Sequence, residues 1–272
     1  MNYAFVNGTL CKSDEAVIGI QDMALQRAYG MFDYFKIMAA QPIFLEDHLD
    51  RFWNSARQLR LSVPVSRAQL TDQVFELIER NQWTDAGLRL TLTAGYAPDG
   101  YSIHTPNLLM NGQPVELPSV ISAKGLRLIS YQHIRQLPEI KSIDYLMAVW
   151  LQDKIKAAGA DEVLYHQQGF ISECPRANVF LITGQGVLVT PAAGALPGIT
   201  RKKILELAAT RMPVEIRPVH LDEFKTAREA FISSTTKIVH PIFAVDGQLI
   251  GEGRTGMFSQ TLFDAYLQLL PV

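Results

Sequence analysis

Apolar and polar positions recur along this chain with two different periods, and each change of period separates strands from helices. The turn pair Asn7-Gly8 lies between two short β-prone stretches and predicts a hairpin. Alternation with a period of two predicts strands, whereas apolar residues three and four positions apart predict helices with one buried face. Before residue 98, strands are predicted over 32–38, 42–45 and 88–93, and helices are predicted over 46–59 and 66–81, with Ser66 as an N-cap.

A segment rich in Pro, Gly and Asn, residues 98–118, interrupts these periods and contains the turn pair Asn111-Gly112. We interpret it as a loop that ends one domain, and we place the domains at 1–118 and 119–272. Beyond it, many short strands alternate with few helices, which favours an α+β fold over a doubly wound sheet. Strands are predicted over 125–131, 162–166, 170–172, 179–182, 187–189, 214–219, 230–233 and 242–245, and helices over 145–158, 200–211 and 257–269.

Composition excludes several classes of protein. The chain has 25 Lys and Arg against 27 Asp and Glu, and this near balance argues against a partner that is nucleic acid or an acidic membrane surface. It lacks an apolar stretch of about 18 residues that could span a membrane. Two cysteines are too few for a disulfide framework, and the histidines lack metal-binding spacing. We therefore expect a cytoplasmic enzyme or binding protein without a metal.

Two ionisable residues stand out because each lies beside an apolar element. Lys141 precedes an apolar helix, where a desolvated lysine has a lowered pKa and can act as an imine-forming amine. Most lysines near a helix start are instead solvated. Glu173 lies at a strand end, five residues before Asn178, where a carboxylate can hold a protonated nitrogen of a ligand or simply cap a turn. The local sequence leaves these alternatives open.

Three further segments could bind an anion. In Leu196-Pro-Gly-Ile-Thr-Arg a helix begins, Gly198 allows close approach, and the N–H groups of Ile199 and Thr200 face outwards. Four hydroxyls, Ser233-Ser-Thr-Thr, follow a strand, and Arg51 stands three residues after His48 on one helix face. A capped helix, a hydroxyl-rich turn and a solvated charge would explain each segment separately. Their order along the chain is more specific than any one of them.

In that order, these segments resemble the class IV aminotransferases, pyridoxal-phosphate enzymes of fold type IV. The resemblance covers essentially the whole chain and implies an α+β protein with a small N-terminal α/β domain and a larger pseudo-barrel domain, the cofactor lying between them. It also implies a homodimer in which the small domain closes the neighbour's site. The motifs that carry it are Gly159-Ala-Asp-Glu-Val-Leu, Glu173 with Asn178-Val-Phe, Thr190-Pro, Leu196-Pro-Gly-Ile-Thr-Arg and Phe231-Ile-Ser-Ser-Thr-Thr.

The resemblance implies a role for individual residues. Lys141 would form the Schiff base and carry the proton between substrate and cofactor. Glu173 would pair with the pyridine nitrogen, supported by Asn178, and Tyr145 would lie near the 3-hydroxyl of the ring. Thr236 would offer its N–H to a substrate carboxylate. The residues that would hold the cofactor phosphate are Arg51, Ile199, Thr200 and Thr235.

The subgroups of this family differ in a few positions. Ala94 stands where D-amino-acid aminotransferases carry the Arg of Thr-Arg-Gly. Arg89 and an apolar wall of Phe32 and Tyr34 favour transamination of a branched-chain amino acid with a 2-oxo acid such as 2-oxoglutarate. The run from Glu173 to Asn178, Glu-Cys-Pro-Arg-Ala-Asn, is similar to aminodeoxychorismate lyases, which release 4-aminobenzoate and pyruvate. We expect the aminotransferase, with the lyase and a non-catalytic cofactor-binding protein as alternatives.

Overall fold

The computed structural model describes residues 2–271, which divide into two compact units. The first unit runs to Glu116 and includes the later segment Ile140–Asp144, and the second consists of Leu117–Glu139 and Tyr145–Leu270. Residues 119–272 are predicted to form one domain, whereas the structure groups the short segment around Lys141 with the first unit.

Main-chain hydrogen bonds explain why this short segment belongs to the first unit. The N–H of Phe32 donates to the carbonyl of Lys141 over 2.9 Å, and the N–H of Ile143 donates to the carbonyl of Gly30 over 3.1 Å. The segment therefore extends the edge of a strand that lies more than one hundred residues earlier in the chain.

The first unit is built on a six-stranded antiparallel sheet with the order β2-β1-β6-β5-β3-β4. Its helix α2 packs against β3, and buried residues of α2 and α3 join those of the sheet in one apolar core. The elements are β1 (Tyr3–Val6), β2 (Thr9–Lys12), α1 (Met23–Arg27), β3 (Gly30–Met38), β4 (Gln41–Pro42), α2 (Leu45–Gln58), α3 (Arg67–Asn81), β5 (Ala86–Thr93) and β6 (Leu108–Pro114). The predicted hairpin, the two amphipathic helices and the Ser66 cap are confirmed.

The predicted turn at Asn111-Gly112 is wrong, because both residues lie inside strand β6 and pair with β5. The glycine serves close packing instead. A Cβ atom at Gly112 would come within 2.6 Å of the Trp83 ring and 2.7 Å of the carbonyl oxygen of Gly87. The missing side chain therefore makes room for a buried tryptophan.

The prediction of a strand over 42–45 is also largely wrong. The N–H of Ile43 donates to the carbonyl of Lys36 over 2.8 Å, which continues the pairing of β4 with β3 by one residue. Phe44 then adopts the left-handed conformation with φ of 51°, and helix α2 begins at Leu45. Polar residues of the helix follow at once, so the apolar run 43–45 spans a turn and a helix start.

The second unit contains a ten-stranded sheet with the main order β13-β12-β11-β14-β15-β7-β8-β9, to which β10 and β16 add through β11 and β15. Three of its pairings are parallel: β7 with β8, β15 with β7, and β12 with β13. The strands are β7 (Leu126–Gln132), β8 (Glu162–Gln167), β9 (Phe170–Ile171), β10 (Glu173–Cys174), β11 (Ala177–Ile182), β12 (Leu188–Pro191), β13 (Val214–Arg217), β14 (Glu229–Ser234), β15 (Ile238–Val245) and β16 (Gln248–Leu249).

The helices of the second unit follow the predicted positions with one correction. The single helix predicted over 145–158 is two short helices that meet at Leu151, a fully buried residue packed with Val163 and Tyr165. Among residues 2–271, no helix is both long and apolar enough to cross a bilayer. The helices are α4 (Leu146–Trp150), α5 (Gln152–Ala157), α6 (Ile199–Ala209) and α7 (Met257–Leu267).

Candidate active site

Three of the predicted residues lie together on the first unit: Lys141, Arg89 and Phe32. Phe32 alternates along β3 with the core residues Met31 and Asp33, so its ring faces away from the helices. The guanidinium carbon of Arg89 lies 3.8 Å from the centroid of that ring, and Nζ of Lys141 lies 4.5 Å from it. An amine and a permanent cation therefore share one aromatic ring.

Tyr34 lies next to this group on the same strand face. It pairs directly with Arg89 across β3 and β5, and its ring covers Gly87, where a Cβ atom would fall 1.7 Å from the tyrosine hydroxyl. Burial raises the pKa of Tyr34, so it stays a neutral phenol. The two aromatic side chains, Phe32 and Tyr34, together form the apolar surface that the sequence predicts here.

Arg51 is buried on the other face of β3, in a network with Asp33 and His48. Nε and Nη2 of Arg51 donate to the two carboxylate oxygens of Asp33 over 2.9 and 2.8 Å. Nδ1 of His48 lies 2.7 Å from the same carboxylate. The strand supplies the acid and successive turns of α2 supply the histidine and the arginine, so the arginine that the sequence assigns to the phosphate is held in a fixed orientation by Asp33.

Competing effects set the charges in this network. Burial by itself would raise the pKa of Asp33, but the Arg51 guanidinium and the His48 ring outweigh it and hold that pKa well below its usual range. Burial also lowers the pKa of His48, with the positive charges of Arg51 and Lys141 adding to the effect against the opposing influence of Asp33. The network therefore consists of a carboxylate, a guanidinium and a histidine that favours its neutral form.

Glu173 is the centre of a second group of residues, on the second unit. It is only 3% exposed, and both of its carboxylate oxygens accept hydrogen bonds. Nε of Arg135 donates to Oε1 over 2.6 Å, and the N–H of Leu196 donates to Oε2 over 2.8 Å. A buried carboxylate with these partners is fixed in place, which suits a group that must hold a protonated nitrogen.

Asn178 connects Glu173 to the start of α6. It pairs with Glu173 across β10 and β11, and its side-chain amide donates to the carbonyl of Leu196 over 2.8 Å. Gly198, the N-cap of α6, lies so close that a Cβ atom there would be 2.1 Å from Oδ1 of Asn178. Any side chain at Gly198 would displace Asn178, so glycine at this helix start is required by close contact, since its φ of −66° is open to any residue.

The N-terminus of α6 has no side-chain cap among residues 2–271, and its first turn carries no acidic residue. Ile199 and Thr200 begin this eleven-residue helix, and Thr200 is buried beside Tyr266. Nearby in the sheet, Ser233 pairs with Asn178, and its buried hydroxyl finds no hydrogen-bond partner in the described part of the chain. Uncapped helix N–H groups and an unpartnered hydroxyl both favour an anion at this end of the sheet.

The Ser/Thr segment spans the end of β14 and the turn that follows it. Thr235 is half-buried, whereas Thr236 is exposed at the tip of the turn. Ile238, the buried first residue of β15, has φ of 58°, a conformation that β-branched residues rarely adopt. A strained residue therefore follows the turn directly.

Tyr145 lies at the start of α4 and borders a cavity of about 530 Å³ on the second unit. Lys156, Glu162 and Arg176 also line this cavity, which has the size of a small-molecule site. The Arg176 guanidinium lies 3.5 Å from Glu162, and its side chain is largely exposed. This places an exposed cation at the edge of the cavity that Tyr145 lines.

Comparisons with known proteins give the class to which this fold and these residues belong. The sequence model of the family described as amino-transferase class IV matches residues 30–245. A D-alanine aminotransferase of Bacillus licheniformis is 31% identical over 263 residues, which cover 94% of this chain and 93% of that protein. The chain belongs to the class IV aminotransferases and is therefore an enzyme that uses pyridoxal 5′-phosphate.

Solved structures agree with the fold. The branched-chain amino acid aminotransferase of Escherichia coli superimposes with a TM-score of 0.90 at 24% identity, covering 98% of this chain and 94% of that one. A candidate 4-amino-4-deoxychorismate lyase of Legionella pneumophila superimposes with a TM-score of 0.86 at 25% identity, covering 95% and 97%. The predicted two-part α+β fold of type IV is confirmed.

The residues of the second unit fit the cofactor. Its anionic tail suits the uncapped start of α6 at Ile199 and Thr200, and the protonated ring nitrogen suits the buried carboxylate of Glu173. The unpartnered hydroxyl of Ser233 lies on the same face of the sheet as Glu173 and Asn178, because all three are directly opposite one another on adjacent strands. The donor set therefore matches a small, flat ligand with one anionic and one cationic end.

Sequence reasoning missed two residues of these groups. Asp33 carries a signal that could have been used, because an acid within an apolar strand requires a cation on the helix packed against it. Arg135 carries no such signal, because it reaches Glu173 across 38 residues of sequence. Ser233 belongs to the hydroxyl-rich segment that the sequence offers as an anion site, and its hydroxyl is buried without a partner among residues 2–271.

Proposed function

We propose that this enzyme transaminates an amino acid, of the branched-chain type, with a 2-oxo acid such as 2-oxoglutarate, through a Schiff base on Lys141. The observation that carries the proposal is the group of Lys141, Arg89 and Phe32. It supplies a reactive amine, a cation for a carboxylate and an apolar ring for an aliphatic side chain within 5 Å of one centroid.

Each residue has a task in this proposal. Pyridoxal 5′-phosphate, when bound, supplies the electron-withdrawing ring that stabilises negative charge at the substrate Cα. Lys141 would hold the cofactor through its amine, and its Nζ would take and return the proton at the substrate Cα. Glu173 keeps the proton on the ring nitrogen, and Tyr145 lies near the 3-hydroxyl. The residues proposed to hold the phosphate are Arg51, Ile199, Thr200 and Thr235.

The substrate residues follow from charge and shape. Arg89 would bind a substrate carboxylate. The N–H of Thr236, at the exposed tip of its turn, would donate a hydrogen bond to a substrate carboxylate oxygen. Phe32 and Tyr34 would contact the side chain, where each buried square ångström contributes roughly 25 cal/mol. A dicarboxylic acceptor and an aliphatic donor can alternate in one site because the arginine lies directly on an aromatic ring.

The direct test is a transaminase assay with a panel of L- and D-amino acids. Leucine and 2-oxoglutarate should yield glutamate, and valine and isoleucine should act as donors as well. A Lys141→Ala variant should fold, bind the cofactor without a covalent bond and form glutamate at least about a thousandfold more slowly, because the proton carrier is lost. A matched Lys154→Ala variant, at an exposed lysine, should keep full activity.

Two outcomes would contradict the proposal. One is a protein that holds pyridoxal 5′-phosphate yet forms no glutamate from any amino donor. The other is a clear preference for D-alanine, which would move the enzyme towards the D-specific members in spite of Ala94.

A second candidate function is the lyase reaction that releases 4-aminobenzoate and pyruvate from aminodeoxychorismate. It is supported by the run from Glu173 to Asn178, by Gly100-Tyr-Ser and by the Legionella pneumophila structure. Arg176 at the edge of the Tyr145 cavity could bind the acid of such a substrate. Rescue of a strain that requires 4-aminobenzoate separates this function from transamination, and failure to rescue by soluble protein removes it.

We also propose that the enzyme is a cytoplasmic homodimer. Leu146, Val149 and Trp150 on helix α4 are 76%, 60% and 66% exposed, so this helix presents an apolar surface to its surroundings. Apolar patches of this kind mark interfaces in soluble proteins. A second copy of the chain is the partner that the family resemblance implies.

A further inference from the structure

The buried carboxylate of Glu173 is held by a cation that the reaction itself does not require. Nε of Arg135 donates to Oε1 of Glu173 over 2.6 Å, and Nη2 of the same guanidinium donates to the carbonyl of Pro138 over 2.6 Å. The side chains are 12% and 4% exposed, so this ion pair is almost removed from water. In an ion pair buried to this extent, removal of one partner leaves the other charge buried without compensation.

The titratable groups beside Glu173 include a thiol and a phenol that stay neutral. Burial and the carboxylates of Glu162 and Glu173 raise the pKa of the Cys174 thiol, and burial with Glu162 raises the pKa of Tyr165. Lys237 acts on Cys174 in the opposite direction, but less strongly. Glu162 is therefore a second carboxylate in this group of residues.

We propose that Arg135 is a positioning residue that keeps the Glu173 carboxylate ionised and fixed while the site is empty, so that the cofactor's protonated ring nitrogen can bind without a proton first having to leave. This inference rests on the proposed function, because it takes Glu173 as the partner of the ring nitrogen. It assigns Arg135 to the empty enzyme and to cofactor capture, not to the chemical step.

Removing the guanidinium gives a defined consequence. Without Arg135 the buried carboxylate would lose its cation and would take up a proton as the pH falls. A protonated Glu173 must release that proton before a protonated ring nitrogen can bind. Cofactor affinity of an Arg135→Gln variant, relative to the wild-type protein at the same pH, should therefore fall with decreasing pH, by up to about tenfold per pH unit.

The experiment titrates pyridoxal 5′-phosphate into the cofactor-free full-length protein from about pH 8 to about pH 5 and follows the absorbance of the bound cofactor. The quantity compared is the ratio of variant to wild-type affinity at each pH, because ionisation of the cofactor phosphate cancels in that ratio. The ratio for Arg135→Gln should fall towards low pH. Arg135→Lys keeps the positive charge and should give a shallower fall.

Two controls separate this role from loss of structure. Arg217→Gln removes a more exposed ion pair elsewhere on the second unit, in which Nη2 of Arg217 donates to Glu223 over 2.7 Å, and its ratio should not vary with pH. A cofactor analogue with carbon in place of the ring nitrogen should bind Arg135→Gln with a ratio that is independent of pH. A purely structural role would lower affinity for both ligands equally at every pH.

Several results would overturn the inference. A ratio for Arg135→Gln that stays constant with pH would leave Arg135 as a structural residue only. If Arg135→Gln does not fold, the protonation of Glu173 is measured instead from the infrared difference spectrum between the cofactor-free wild-type protein and Glu173→Gln. A band from a protonated Glu173 carboxyl near neutral pH would contradict the proposal. A wild-type protein that binds no pyridoxal 5′-phosphate at any pH would contradict the proposed function as well. Failure of the proposed function can therefore be distinguished from failure of this inference alone.

Discussion

In the first unit, single buried charges contribute strongly to the free energy of unfolding. Asp33 is 1% exposed, and Arg51 and His48 on α2 both contact its carboxylate. Its folded-state pKa lies below the ordinary value of 3.8, so its contribution to stability is present above about pH 4 and is lost as the pH falls further, when the unfolded chain binds a proton first.

We predict that Asp33→Asn lowers the free energy of unfolding at pH 7 by about 3 kcal/mol, because it leaves Arg51 buried without its carboxylate. The difference from wild type should shrink as the pH falls below about 4. Urea unfolding at several pH values measures both effects. Asp50→Asn is the matched control, since Asp50 pairs with Arg67 on the surface of α2 and should cost less than about 1 kcal/mol.

Lys36 presents the opposite case, a buried charge without a close partner. It is 2% exposed, and its Nζ finds no hydrogen-bond partner among residues 2–271. Burial lowers its pKa, and the more distant carboxylates of Asp85 and Glu116 offset this only in part. The unfolded chain therefore binds the proton more tightly than the folded chain, and stability rises with pH until about 10.5.

We predict that Lys36→Met stabilises the protein at pH 7 by about 1 kcal/mol and that the gain diminishes as the pH approaches 10.5. Chemical denaturation at pH 7 and pH 10 measures it. Lys12→Met, at an exposed lysine paired with Glu15, should change stability by less than about 0.5 kcal/mol at either pH. A Lys36→Met variant less stable than wild type at pH 7 would show that the ammonium has a favourable role.

At this scale the sequence could predict residues that local motifs announce. Gly198 and Thr200 stand at a recognisable helix start, and Glu173 stands at a strand end beside Asn178. Asp33 and Arg135 could not be found in this way, because their partners lie 18 and 38 residues away and the pairings depend on which strand face packs against which element.

Elements with a strong period were predicted well, and elements that depend on their neighbours were not. Helices α2 and α3 have one continuous apolar face and a cap, which are local properties. Strand β6 was interpreted as a loop because Asn111-Gly112 is a common turn pair. Its strand conformation comes from seven cross-strand pairings with β5 that no local pattern reveals.

We predict that Gly112→Ala lowers the free energy of unfolding by about 2 kcal/mol, because the new methyl group meets both Trp83 and the main chain of β5. Tryptophan fluorescence during urea unfolding reports the change and the environment of Trp83. Gly184→Ala is the matched control, since a Cβ atom there meets nothing within 4 Å. Equal stability of the two variants would mean that Trp83 moves aside without cost.

The whole molecule raises the question of its assembly. Helix α4 has no buried residue in the isolated chain, and its apolar side chains are those expected of an interface core. We predict that the purified protein sediments at about twice the chain mass of 30.4 kDa and that Trp150→Glu shifts it towards that single-chain mass.

Leu249→Glu is the control for that measurement, because Leu249 is also exposed, at 58%, but lies on strand β16 instead of α4. It should leave the sedimentation unchanged. A wild-type protein that sediments as a single chain at micromolar concentration would contradict the assignment of α4 to an interface.

The two cysteines differ in a way that is useful for experiments. Cys174 is fully enclosed and its thiol resists deprotonation, whereas Cys11 is partly open on the N-terminal hairpin. Because alkylating reagents attack the accessible thiolate, a maleimide dye should attach at position 11 alone in the native enzyme. Unmutated protein therefore offers a single labelling position for fluorescence or spin-probe studies.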